Sequence, residues 1–414
     1  MTAPQTQAVM DAFRAANAEA RFIGGCVRDA VLKRAAKDID IATPEEPDRV
    51  LEILQAANIR AIPTGLKHGT ITAVVGADHF EITTLRIDVE NYGRHAKVAF
   101  TDDWTQDAAR RDFTINAMSC DEHGNVYDPY DGLEHLGKGW VRFVGEAEQR
   151  IGEDVLRLLR FFRFYAQYGK PPINLPALRA CRKLAFRLPE LSGERVRGEL
   201  FRILMAPNPA DTITLMRAEK VLPYILPEAG DVGRLRMVAW LIERAVRFDD
   251  IDTDPVRRLA ALLKPGLTID TVKALSERLK FSNRERNHLL AMTAPAPIIN
   301  ADMSDKDVRI ACAEVGPKIV IDRALLSWAG ELALQAHLPS PRTESWRHLI
   351  ETARDSHIAP LPIKGRDVLE MGVAHGPEVG RLLEQIETWW RDLDFRPDRD
   401  ACLEKLKHLL KTHP

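Results

Sequence analysis

The sequence predicts an α+β protein, with a mixed α/β head over roughly the first third and helix alone in the remainder. Three observations carry that expectation. Short β-rich runs alternate with helical stretches from Arg21 to about Phe143, strand-like segments all but vanish beyond Glu146, and apolar residues after that point recur at helical spacing.

The first strand-like run, Arg21-Phe22-Ile23, leads through Gly24-Gly25 into a helical stretch opening at Cys26. Glycines let the backbone approach a ligand closely, the free N–H groups of a helix start favour an anion, and Arg28 adds charge one turn in. Gly25 and Arg28 are therefore candidates for a phosphate cradle, although an ordinary strand-to-helix turn carries the same residues. About a dozen residues on, Asp38 and Asp40 alternate with Ile39 and Ile41 as in a half-buried strand. A period of two puts both carboxylates on one face. Anions that close repel unless a proton or cation sits between them, and hard oxygen donors suit Mg²⁺ completed by substrate phosphates. A solvated strand face is the bland alternative.

A helix opening at Glu46 and strands over Asn58–Ile62, Thr70–Gly76 and Phe80–Ile87 continue the pattern. Arg110-Arg111-Asp112-Phe113-Thr114-Ile115-Asn116-Ala117 is too polar for a core. At Glu153–Arg163, Asp154, Arg157, Arg160 and Arg163 recur every three residues, opposite leucine and phenylalanine, as one drifting helical stripe. Glu194–Met205, Asp211–Val221 and Arg234–Ala245 read as amphipathic helices, and proline-rich joints at 170–172, 206–209 and 338–341 separate helical layers. No fixed-period repeat or low-complexity tract is present.

Composition bounds the function. With 45% hydrophobic and 29% charged residues over 414 positions, the chain is ordinary globular protein of two to four domains. The net charge is −2, so no overall positive field draws it onto a polyanion. Residues 1–165 hold 20 basic and 26 acidic side chains, leaving 38 and 34 of the totals of 58 and 60, so the helical remainder is net basic. Five scattered cysteines with no C-x-x-C pair indicate reduced thiols rather than disulfides or a zinc site, and hence a cytoplasmic protein. The first residues lack the pattern of a secretory signal and no apolar run is long enough to span a bilayer, so no membrane association is expected.

Taken together, Gly24–Asp29, Lys37–Ala42, Lys67-His68-Gly69-Thr70, Phe80–Arg86, Gly93–Trp104, Arg110–Ala117, Asp128–Gly132, the Glu153–Phe164 helix and Ser192–Leu200 resemble, in order, the class II nucleotidyltransferases. These comprise tRNA CCA-adding enzymes and bacterial poly(A) polymerases. Pro362–Ile386 is similar to a stretch in family tails. The resemblance implies a polymerase-β-like head at 1–145, an all-α neck bearing the nucleotide-recognition helix at 146–207, and a tRNA-binding body and tail at 208–414. It implies that Asp38 and Asp40 bind two Mg²⁺ ions, with Glu81 a candidate third carboxylate for the priming hydroxyl. It places Gly25, Arg28, Arg111, Asp154, Arg157, Arg160 and Arg163 around the incoming nucleotide, and a flexible loop at Asp88–Asp103.

The activity it implies is template-independent addition of CCA to the tRNA 3′ end from CTP and ATP, by two-metal transfer releasing pyrophosphate. Cytosine and adenine both present an amino donor beside a ring-nitrogen acceptor, whereas uracil and guanine present the reverse. An edge of Asp154, acceptor only, and Arg157, donor only, matches the first pair and leaves buried groups unpaired against the second. Poly(A) polymerases of the class carry an arginine-rich stretch before the RRD motif, which is absent here. A catalytically inactive RNA-binding relative should have lost D-x-D or RRD, and both are intact. Lys183, Arg187, Arg195, Arg197, Arg202 and Lys364 are candidate tRNA phosphate contacts, and no obligate protein partner is implied.

Overall fold

The computed structural model describes residues 1–414 except 37, 93–94, 246–250, 336–338, 358–359 and 413–414, and leaves aside the side chains of 67, 88–92, 95–97, 245 and 412. It divides into two compact units, Met1–Glu228 and Ala229–Pro414. Among the described residues no helix is long and apolar enough to cross a membrane.

The first unit opens with α1 (Pro4–Ala15), β1 (Arg21–Ile23), α2 (Gly25–Val31), β2 (Asp40–Thr43), α3 (Pro47–Ala56) and β3 (Arg60–Gly65). It continues with β4 (Thr70–Val75), β5 (Asp78–Thr84), β6 (Arg86–Tyr92), β7 (His95–Phe100), α4 (Trp104–Ala109), β8 (Ser119–Cys120), β9 (Val126–Tyr127) and α5 (Gly132–Lys138). The helices α6 (Ala147–Glu153), α7 (Leu156–Tyr168), α8 (Leu175–Leu184), α9 (Gly193–Leu204), α10 (Pro209–Ala218) and α11 (Leu222–Ile225) complete it. Seven strands form one sheet in the order β3-β4-β5-β2-β1-β8-β9, and β6 pairs with β7 in a separate hairpin. Among the described residues only β2 and β5 run parallel, in a register that sets Asp40 opposite Glu81. Two carboxylates from different stretches of chain thereby reach the same face of adjacent strands.

Two expectations are corrected here. Asp38 lies in a bend before β2 rather than on it. The last rung toward β1 is Phe22–Ile41, because the neighbouring chain leaves the sheet at Gly24, and the last rung toward β5 is at Asp40, so residues before 40 have no strand to pair with. The segment 88–103, expected as a loop, is largely the β6–β7 hairpin, followed by residues 101–103 that lead to the Asp103 cap of α4, with residues 93–94 outside the described part. The expected helices at 194–205 and 211–221 are α9 and α10, and the proline joints at 170–172 and 206–209 separate α7 from α8 and α9 from α10.

Helix α7 is what ties the helices to the head's chemistry. Leu158, Leu159, Phe161 and Phe162 are fully buried, each worth roughly 1.5–3 kcal/mol relative to exposure. Phe161 stacks on Phe143 and Phe164 meets Phe113 edge-on, in one aromatic cluster with the head segment and the approach to α6. The three-residue spacing then leaves Arg157, Arg160 and Arg163 along another face.

In the second unit the helices are α12 (Gly233–Trp240), α13 (Pro255–Leu262), α14 (Ile269–Arg278), α15 (Asn283–Thr293), α16 (Asp305–Val315), α17 (Pro317–Leu334), α18 (Ser340–Asp355), α19 (Gly365–Glu370), α20 (Pro377–Asp392) and α21 (Arg399–Thr412). α17 packs against α12 and α18, and the buried Trp328 and Trp346 rings stack at 6.4 Å. Ile363, Val368, Leu382, Ile386, Trp390, Cys402 and Leu406 form a separate core near the C-terminus.

Candidate active site

A cleft of about 1000 Å³ in the first unit is lined by residues from β2, α2, the RRD segment, α7 and α9. Asp38, Asp40, Gly25, Arg28, Arg111, Asp154, Arg157, Arg160 and Arg163 all line it, together with Arg195 and Arg202. Nine of the ten residues singled out for catalysis or nucleotide binding therefore meet in one concavity. The tenth, Glu81, stands beside Asp40 in the sheet register. Its neighbourhood is electrostatically marked: burial first, then Glu81 and Asp38, push the Asp40 carboxyl above its usual range, and Arg111 opposes them.

The phosphate-cradle segment owes its shape to Gly24, whose φ of +70° turns β1 into α2 in the left-handed region that glycine adopts without strain. A Cβ there would also lie 3.3 Å from Arg111 Nη1. Arg28 is buried at the mouth of α2. Its Nη1 donates to Asn116 Oδ1 at 2.6 Å, its Nε to Asp29 at 3.0 Å, and its guanidinium sits 4.7 Å from the Tyr168 ring. Asn116 in turn donates from Nδ2 to Asp112, which also accepts from Arg160 Nε at 2.5 Å and from the Phe113 N–H at 2.9 Å. Burial, the largest influence, would raise the Asp112 pKa, but Arg160 and these hydrogen bonds carry it below the carboxylate range.

Other arginines are held by carboxylates and carbonyls. Asp107 receives Arg110 at 2.7 Å and Arg111 at 2.8 Å. Arg150 donates to the carbonyls of Arg110 and Arg111, with the second bond at 2.7 Å. Arg157 donates to Glu153 at 2.6 Å and to the carbonyls of Arg150 and Arg110. Arg163 pairs with buried Glu199 at 3.2 Å, yet burial, only partly offset by Glu199, pulls its guanidinium down to about 10.

Asp154 departs from the expected helical stripe. Helix α6 ends at Glu153, and Asp154 is extended at φ −145° and ψ 107° before α7 begins. Its side chain accepts from the Leu156 N–H at 3.1 Å and is gripped by Arg195, not Arg157. Of the side chains expected to meet tRNA, Arg195 and Arg202 line the cleft. Arg202 pairs with Glu199, Lys183 with Glu148, and Arg187 with Glu190 and the Gly152 carbonyl. Arg197 is half-buried on α9, and Lys364, in the second unit, donates its backbone N–H to Asp367 at the start of α19. Sequence reading passed over Asp107 and Glu199 as anchors and Arg86 as a lining residue; an acid three and four positions before an arginine pair was the one local signal for Asp107.

Comparison with known proteins agrees with this architecture. Residues 20–142 match the family model described as poly A polymerase head domain, and 174–231 match the probable RNA and SrmB-binding site of polymerase A. The human mitochondrial CCA tRNA nucleotidyltransferase 1 is 37% identical over 402 residues, covering 94% of this chain and 87% of its own. The chain belongs to the CCA-adding class II nucleotidyltransferase family. A CCA-adding enzyme of Lactococcus lactis is 30% identical over 98% of this chain and 96% of its own length. The Bacillus stearothermophilus CCA-adding enzyme, solved with CTP, superposes with a TM-score of 0.76 at 26% identity, covering 99% of each chain. The Thermotoga maritima enzyme, solved with tRNA, shares the fold at a TM-score of 0.64 and 19% identity, covering 97% of this chain and 94% of its own. Membership of this family makes the chain a nucleotidyltransferase.

Proposed function

We propose that this protein adds CCA to the 3′ end of tRNA without a template, taking CTP and ATP and releasing pyrophosphate. The observation that carries this reading is one cleft holding both the Asp38 and Asp40 carboxylates and the wall of Asp154, Arg157 and Arg160. Relatives with the same full-length arrangement are named for that activity.

The family uses divalent metal ions, and Mg²⁺ is the one the donors suit. Asp38 and Asp40 offer only hard oxygens, and Glu81 adds a third acid beside Asp40. Among the described residues no three carboxylate, imidazole or thiol groups enclose an ion by themselves. Mg²⁺ binds through one or two carboxylates and completes its shell with water and substrate phosphates. When bound, such ions would neutralise the triphosphate and make the tRNA 3′-hydroxyl more acidic.

The protein's own residues then bind and orient. The N–H groups at the start of α2 and the Arg28 guanidinium face the triphosphate, and Arg111, steadied by Asp107, supplies positive charge to ribose and phosphates. Arg160 and Arg163 hold the far side of the nucleotide. Glu81, opposite Asp40 in the sheet register, serves as the third carboxylate for the priming hydroxyl. Asp154 and Arg157 present acceptor and donor to the base edge, so cytosine and adenine pair and uracil and guanine do not. The basic helical remainder grips tRNA phosphates. Five buried free thiols support a reducing, cytoplasmic setting.

The test is incubation with tRNA lacking CCA, lacking only the final A, or complete, each with single labelled nucleotides. Addition of C, C and A followed by a halt is expected. A long A tract on unrelated RNA would select poly(A) synthesis instead.

A further inference from the structure

We infer that Arg195 is a positioning residue for base choice: it fixes the Asp154 carboxylate so that one acceptor position faces the nucleotide. The inference rests on the base-reading role of Asp154 proposed above.

The argument is a count of lone pairs. An ionised carboxylate has about four acceptor positions, two on each oxygen. On Asp154, Oδ1 accepts the Leu156 N–H at 3.1 Å and Arg195 Nη2 at 3.1 Å, which fills it. Oδ2 accepts Arg195 Nη2 at 2.8 Å and keeps one position open. Both residues line the cleft and both side chains are about four-fifths buried. A single open acceptor matches the single amino hydrogen that cytosine N4 or adenine N6 can direct across a pairing edge. It meets only lone pairs on uracil O4 or guanine O6.

Arg195 acts from a distance in sequence. It sits in the first turn of α9, 41 residues from Asp154, and reaches across to the junction of α6 and α7. Asp154 itself is extended, at the break between the two helices, and its side chain is held there by the Leu156 N–H and Arg195. Without Arg195 the carboxylate keeps only the Leu156 N–H and can swing about χ1 and χ2. Each swing presents two lone pairs, none, or a pair displaced from the base plane. Arg157 is fixed separately, by Glu153 and two backbone carbonyls, so the donor half of the edge stays where it is. Losing Arg195 therefore misaligns the acceptor and leaves the donor.

The experiment is single-turnover addition by the full-length protein. CTP and UTP are compared on tRNA lacking CCA, and ATP and GTP on tRNA lacking the final A, for wild type, Arg195→Ala and Arg195→Lys. In Arg195→Ala the kcat/KM for CTP and ATP should fall roughly 10- to 100-fold, the size of a lost hydrogen bond to a charged group, with most of the loss in KM. The values for UTP and GTP should change little, so discrimination contracts by about the same factor. Arg195→Lys, which restores one donor to Oδ2, should recover part of that discrimination. An equal loss for all four nucleotides, or an unchanged ratio, overturns the inference, because a general structural or phosphate-binding role predicts those results. Should Arg195→Ala fail to fold, the Lys variant decides: wild-type discrimination overturns the inference and intermediate discrimination supports it. A wild type that does not itself prefer CTP and ATP would remove the base-reading role of Asp154 first, which keeps the two failures apart.

Discussion

Replacing Asp112 tests whether the network under the cleft is organised as described. Its carboxylate is buried at the floor of the cleft and satisfies three donors at once: Arg160 Nε at 2.5 Å, Asn116 Nδ2 at 3.1 Å and the Phe113 N–H at 2.9 Å. Asp112→Ala strands the Arg160 charge and orphans two further donors. Breaking a buried pair from one side costs about 3–5 kcal/mol, and since the Arg160 side chain is 31% exposed the lower end, ~3 kcal/mol, applies. For a unit of this size that corresponds to roughly 6–12 °C in Tm. Asp112→Asn keeps the shape and one acceptor but loses the charge, which should cost about 1.5–3 kcal/mol. The assay is urea unfolding between pH 7 and pH 3, followed by far-UV circular dichroism. Asp112 has a lowered folded-state pKa, so its stabilisation is fully present above the ordinary carboxylate value near ~3.9 and is lost as pH falls through the folded-state value. The Asn variant should therefore be less stable than wild type at pH 7 and converge on it in acid. Parallel curves, with the gap unchanged down to pH 3, would refute the ion pair as the source of the effect.

Four further outcomes follow from the same geometry. Asp40→Ala, or chelation of divalent ions in the wild type, should abolish transfer of both CTP and ATP while gel-shift affinity for tRNA stays within a few fold; residual activity near wild type would remove the metal assignment. Asp154→Ala or Arg157→Ala should narrow the preference for CTP and ATP over UTP and GTP, and an unchanged preference in primer extension would count against the edge-reading scheme. Gly24→Ala places a side chain at φ +70° and within 3.3 Å of Arg111, so a loss of about 1–2 kcal/mol in thermal unfolding and a raised KM for nucleotide are expected. Affinity for tRNA should fall linearly with the logarithm of salt in proportion to the phosphates contacted, and a flat response would remove the basic-surface contribution.

What the sequence disclosed and what it concealed divide along the range of the interactions. The glycine turn before α2, Asp40 on its strand and the arginines of α7 are governed by local spacing, and each could be placed from neighbours a few residues away, whereas Asp38 lies in a bend because no strand flanks residues before 40. The partners that hold them were hidden, because Asp112 meets Arg160 across 48 positions, Arg28 meets Asn116 across 88, and Asp154 meets Arg195 across 41. No periodicity encodes such pairs. Strands β8 and β9, two residues each, are too short for an alternation to register. The β6–β7 hairpin is hidden because its polar sequence, with Gly93, reads as loop, and its pairing becomes visible only in the register from Arg86–Phe100 to Tyr92–His95. Asp154 was misassigned to a helix because three-residue spacing persists through a break in α-helical backbone.

The guanidiniums of Arg150 and Arg157 close on the carbonyls of Arg110 and Arg111, so a strand-bearing segment is stitched shut by side chains that arrive forty residues later. A ribosome that has released only the first 145 residues has therefore made a sheet whose RRD turn has no lock. Chimeras between relatives inherit the same constraint: a crossover at the apparent edge of the head exchanges the lock without its keyhole, whereas one placed after α9 keeps both in the same parent.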